Sequence, residues 1–202
     1  MEILAFQRYQ TKSSLQEMTA NKDRLYVGLH ARSGAAKMPG GEDKYHWSLI
    51  IGPKNPAKHS TGQRHHAKSS IQIVDGVAKN VWVYEERASS LQPTSAMLVC
   101  IVIGKVIDGA RLREVFAATP VRGNDAECGG WNCVAWVKEA LGCAAGDGKA
   151  LGRCKIEWDH VRDTAMWYVA KKAAEHRFDG QGEFDTSKVP MWDAMEGREL
   201  VA

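Results

Sequence analysis

Three short stretches carry residues able to do chemistry together: "WNCVAWV" at 131–137, "YHWSLIIG" at 45–52 and "RHHAK" at 64–68. A free thiol ionises near pH 8.5, so Cys133 needs help to act as a nucleophile at neutral pH. A helix N-terminus gives such help, because its unpaired N–H groups favour an anion and can also hold the oxyanion of an acyl-transfer intermediate. Asn132-Cys133 falls where a helical pattern begins, just after the two glycines of "ECGGW". His46 is the candidate base, carried on a strand that can aim an imidazole at a helix tip. His66 or His65 is the candidate orienting group, and Trp131 and Asn132 are candidates for oxyanion or orienting roles. The competing reading of Cys133 is a small core residue, which is what most unpaired cysteines are.

His65 and His66 are adjacent, so on a strand they face opposite ways. Alternation from Ile71 and Ile73 puts odd positions on the core side, which favours His66 at the site. Glu85 and Glu86 in "YEER", Asp43 and the aromatic Trp47 are candidate substrate contacts, the carboxylates for a cationic group. Lys54, Lys58, Arg64 and Lys68 form a basic cluster suited to phosphate contacts. The five cysteines have irregular spacing without a CxxC pair, so neither a disulfide framework nor a metal site is expected. "GAAKMPGG" lacks the form of a phosphate-binding loop, and no cofactor is expected.

The elements that must place these groups follow from periodicity. Strands are expected at "RLYVGLHA", "YHWSLIIGP", "RHHAKSSIQIV", "NVWVYEER" and "AMLVCIVIGKVI", the last a central strand buried on both faces. Then the period changes. Helices are expected over "DGARLREVFAAT", capped by Asp108, over "NCVAWVKEALGCAA", and over "EWDHVRDTAMWYVAKKAAEHRF". Strands first and helices afterwards describe an α+β domain with an antiparallel sheet. Its bounds are read as 24–178, after an N-terminal arm (1–23) and before a Gly-rich acidic tail (179–202). The chain has 202 residues, a formal charge of +3 and seven tryptophans, the composition of an ordinary globular protein. No stretch approaches the roughly 20 apolar residues of a membrane span, and the N-terminus lacks a signal-peptide pattern. A cytoplasmic setting with free thiols and no membrane partner is expected.

"HW" opening an apolar strand, a second histidine on the paired strand, and "NC" followed by Val at a helix start resemble the permuted papain-like thiol enzymes of the lecithin:retinol acyltransferase group. That resemblance implies a circularly permuted papain-like fold, with Cys133 as nucleophile, His46 as base and His66 or His65 as third residue. Asn132 matches the residue before the cysteine in the family's "NC" box. The hairpin between the histidines is longer here, and Val134-Ala135 replaces a polar-aromatic pair. Over nearly the whole chain, "LYVGLHA", "YHWSLIIGPK", "RHHAK", "WVYEE", "IGKV", "NCVAWV" and "YVAKK" resemble a family of small fungal domains near the arginine-containing cyclodipeptide synthases. This second resemblance implies an aminoacyl-tRNA donor and an amine acceptor. The expected function is therefore acyl transfer through a Cys133 thioester. The alternatives are a thiol hydrolase, with water as acceptor, and a non-catalytic binding module on the same scaffold.

Overall fold

The computed structural model describes residues 23–56, 60–92, 94, 96–122 and 130–202. The fold is α+β. Strands β1 (Arg24–Ala31), β2 (Tyr45–Gly52), β3 (Thr61–Val74), β4 (Val77–Ser90) and β5 (Met97–Val106) come first, as their β-branched and aromatic content predicts. Helices α1 (Gly109–Ala118), α2 (Cys133–Asp147) and α3 (Trp158–Ala174) follow, with β6 (Leu151–Cys154) between the last two. The chain ends in β7 (Met191–Asp193) and β8 (Arg198–Val201).

The sheet order is β4-β3-β2-β1-β5-β7-β8, with β6 pairing the last residues of β5, at Gly104 and Val106. All pairs are antiparallel except β5 with β7. The expected five strands thus become eight, and the segment expected as a tail after 178 joins the same sheet. Strands of three and four residues are too short to show a period, and only pairing with β5, or with β7 in the case of β8, defines them. A buried cluster holds this end down. Lys172 Nζ lies 2.7 Å from both Glu175 and Glu199 at 1% exposure, and the Tyr168 hydroxyl donates to Glu199 at 2.7 Å. The expected N-terminal arm, apart from Asp23, lies outside the described residues.

Strand alternation divides the interior in two. Leu25, Val27 and Leu29 of β1 and Trp47, Leu49 and Ile51 of β2 point to the face packed by all three helices. Tyr26, Ile50, Cys100 and Val102 point to the other face, where Leu91, Val189 and Met191 complete a smaller core. Asp75 and Gly76 both have positive φ, the geometry of a two-residue hairpin turn, and set the register of the long β3–β4 ribbon. Ile71 and Ile73 do lie on the helix side by alternation, but beyond the core, at 74% and 71% exposure.

Candidate active site

The β2–β3 ladder pairs only Leu49, Ile50 and Ile51 with His65, Arg64 and Gln63. Beyond it, Tyr45–Ser48 of β2 have no β3 partner, although β3 runs on to Val74. The sheet therefore has a notch beside His46 and Trp47. Around this notch the sequence candidates gather.

On the side away from the helices, His46 Nε2 meets His66 Nδ1 at 2.6 Å, and His66 Nε2 meets Glu85 Oε2 at 2.9 Å. The hairpin register, which sets His66 opposite Glu85, builds the second link. Lys68 Nζ holds the other carboxylate oxygen at 2.6 Å and drives the Glu85 carboxyl down to about 2, with a further contribution from His66. Burial pushes His46 down to about 3 and His66 to about 4, so both rings are neutral near pH 7. The proton positions follow. A carboxylate can only accept, so His66 donates from Nε2 and is left with a lone pair on Nδ1. That lone pair accepts from His46 Nε2–H. His46 in turn is left with a lone pair on Nδ1, the form of a base. Among the described residues no hydrogen bond occupies that Nδ1. His65 faces the helices instead, bonding the Tyr84 hydroxyl at 2.8 Å and packing on Phe116. Of the two adjacent histidines, His66 is the one that meets His46.

Beside the relay, His30 Nε2 lies 2.9 Å from Ser48 Oγ, and the His30 and His46 rings are 5.9 Å apart. Gly28 makes room for this pair, since a Cβ there would stand 3.1 Å from Ser48 Oγ and 3.3 Å from His30 Nε2.

Cys133 approaches the notch from the helix side. Asn132 caps α2, its side-chain oxygen accepting from Val134 N at 2.8 Å and Ala135 N at 3.3 Å. The cysteine is 0% exposed within the helix-side core. Burial raises its pKa. The backbone N–H of Trp47, the Arg32 charge and the N–H groups of Val134 and Cys133 itself act in the opposite direction. The sulfur thus sits by the amide of the residue next to His46, and the Arg32 field reaches both groups. Among the described residues no hydrogen bond joins Cys133 to His46, and the alternation of β2 sends the His46 and Trp47 side chains to opposite faces. The preformed thiolate–imidazole pair expected from the sequence is absent. The structure instead holds a neutral thiol and a neutral imidazole on the two sides of the notch.

Other candidates are placed elsewhere. Trp47 is buried and donates to the Glu42 carbonyl at 2.8 Å, so it is a core residue. Asp43 accepts from the backbone of Lys37 and Met38 at 2.9–3.1 Å and fixes the 32–41 loop, which brings Met38 Sδ to 3.5 Å from Asn132 Nδ2. Glu86 is paired with Arg113 at 2.6 Å. Trp131 donates to Glu139 at 3.0 Å and stacks edge-on to Trp82, committing its indole N–H away from the sulfur. Glu85, expected to contact substrate, closes the relay. The basic cluster is divided: Lys68 and Arg64 lie 2.6 and 4.0 Å from Glu85, and Lys54 lies beyond the far end of β2. Lys58 lies outside the described residues. Sequence reading missed the relay role of Glu85, which counting the β3–β4 register back from the Asp75-Gly76 turn reveals.

Among the described residues there is no group of His, Cys, Asp and Glu able to hold a metal, and no helix long and apolar enough to cross a membrane. A family described as a family of unknown function (DUF6914) matches residues 22–201. No curated protein and no solved structure matches the chain.

Proposed function

The chain belongs to that family of unknown function, and from the site itself we propose that it is a cysteine acyltransferase working through a Cys133 thioester. The observation that carries this reading is the His46–His66–Glu85 relay, with links of 2.6 and 2.9 Å, ending on an imidazole whose Nδ1 is a base beside the notch reached by the Cys133 sulfur. The order of histidine strand before cysteine helix also supports a permuted papain-like arrangement.

Closing the gap between sulfur and imidazole at the notch would start the reaction. Cys133 gives its proton to His46 Nδ1 as Sγ attacks the donor carbonyl, and the Cys133 N–H, the amide at the start of α2 that the Asn132 cap does not take, stabilises the oxyanion. Collapse breaks the carbonyl–oxygen bond of the ester donor, and the imidazolium returns the proton to the leaving oxygen. An amine or water then attacks the thioester, losing its proton to His46, which passes it to the departing sulfur. Glu85 and His66 stabilise the transient imidazolium without themselves changing bonds. In the synthase form the donor is an aminoacyl-tRNA. Arg64 and Lys68 already serve Glu85, so a phosphate contact made by either would compete with the relay.

A second reading, a binding module without chemistry, is favoured by the complete burial of Cys133 and its raised pKa. Intact-mass analysis after exposure to activated aminoacyl esters separates the two. An acyl adduct mapped to Cys133, lost in Cys133→Ala, is the result expected. Modification only at exposed Cys143, or none, would leave the binding module standing. Detection of new cyclic dipeptides in an expression host separates amide synthesis from hydrolysis.

A further inference from the structure

The face of the sheet away from the helices carries a second concavity, at the opposite end of β2 from His46. It has a volume of about 520 Å³, a size suited to a drug-sized ligand. Its floor is the smaller core: Leu91, Val189 and Met191 line it and are 3–4% exposed. Leu200 of edge strand β8 adds a wall and stays 37% exposed. An apolar floor of this kind holds no partner for a polar ligand body.

The rim has one sign of charge. Lys54 and Lys188 both border the cavity, and none of its lining residues is acidic. Lys188 has an exposed neighbour, Asp185, at 3.0 Å, a pairing of small energetic worth that a ligand can displace. Lys54 has no carboxylate partner among the described residues. At the rise of an extended strand, Lys54 lies roughly 25 Å along the chain path from His46, so this cavity is separate from the thiol site.

We propose that this cavity binds a small amphipathic anion, its apolar body on Leu91, Val189 and Met191 and its carboxylate or phosphate head between Lys54 and Lys188. Two cations, only one of them with an exposed and displaceable carboxylate beside it, select against cationic and neutral heads, while the apolar floor selects against fully polar anions such as free phosphate. Met191 suits the floor of such a site, because its unbranched thioether adapts to ligands of differing shape.

The test is titration of the full chain with four ten-carbon probes, decanoate, decyl phosphate, decanol and decyltrimethylammonium, followed by methyl NMR of Leu91, Val189 and Met191 and by calorimetry. Saturable shifts confined to these methyls are expected with decanoate or decyl phosphate, and the tighter of the two identifies the head group. Decanol should bind at least about tenfold more weakly, the worth of one charge-assisted contact. Lys54→Glu combined with Lys188→Glu should weaken the anionic probe about tenfold or more while leaving decanol affinity unchanged; both side chains are exposed enough to spare the fold. Leu200→Glu should weaken both anion and alcohol. Equal binding of decyltrimethylammonium, indifference of the anion to the double charge reversal, or no saturable shift at millimolar probe would overturn the proposal. Because no readout involves Cys133, failure here leaves the thiol reading untouched, and the reverse also holds.

Discussion

Two networks of charged and polar groups are built into this domain, one around Lys172 and one around His66. In the first, a fully buried ammonium is closed on all sides. Glu175 and Glu199 each lie 2.7 Å from it, Tyr168 bonds the same Glu199, and the rings of Tyr168 and Phe184 lie within 5.6 Å. In the second, Glu85 and Lys68 close one end, but the other ends on an imidazole nitrogen without a partner among the described residues. A closed network can only hold the structure, here β8 onto α3. An open one keeps a lone pair in reserve, at a cost in burial that stability alone does not explain. That contrast separates a brace from a working site more clearly than residue type does.

The contrast is broken most forcefully at the brace. Lys172→Ala removes a fully buried side chain and leaves the part-exposed Glu199 and Glu175 carboxylates without their cation, and should cost about 3 kcal/mol of stability, read by urea unfolding. Any protein that remains folded should retain its Cys133 chemistry. Retention of full stability would mean that β8 is held by something else.

Glu85→Gln tests the open network. It keeps the shape but removes the charge that fixes the His66 tautomer, and should slow Cys133 acylation about 100-fold, or about 2.7 kcal/mol in the barrier. Circular dichroism should show the fold intact. An unchanged rate in folded protein would remove Glu85 from the mechanism.

Acid sharpens the comparison further. His30, His46, His65 and His66 are held by burial at about 3, 3, 4 and 4, well below the ordinary histidine value. The unfolded chain therefore takes up more protons between about pH 6.5 and 3, and stability falls as pH drops through that window. A loss of roughly 2 kcal/mol per such histidine by pH 5, several kcal/mol for the four together, is expected from thermal melts. The dependence should be shallower in His30→Phe, which fills the same space without titrating. A melting temperature flat from pH 7 to 5 would contradict the assigned neutral rings.

The smallest effect belongs to the helix cap. Asn132→Ala removes acceptors for Val134 and Ala135 and should cost about 1 kcal/mol. A loss above about 3 kcal/mol would show that Asn132 does more than cap α2.

Much of this was legible in the sequence. The first five strands and three helices announce themselves because each is long enough to display its period, and Asp108 does cap the helix it precedes. The preference for His66 over His65 came from alternation alone. Strands β6, β7 and β8 were not legible, since strands as short as Met191–Asp193 exist only through a distant partner. The burial of Cys133 was one of two readings the sequence left open, because packing against β2 decides it and leaves no mark near residue 133. Asp43 and Glu85 looked like carboxylates awaiting a ligand because sequence shows charge but not which partner already holds it.

The most direct test of the account is the pH profile of Cys133 alkylation by iodoacetamide in the wild type and in His46→Ala, mapped by peptide mass with exposed Cys143 as internal reference. The account predicts that Cys133 reacts in the wild type with assistance persisting below its raised thiol pKa, and that His46→Ala removes this assistance while Cys143 reacts as before. Identical Cys133 profiles in the two proteins, or a Cys133 that stays inert while Cys143 is consumed, would contradict it.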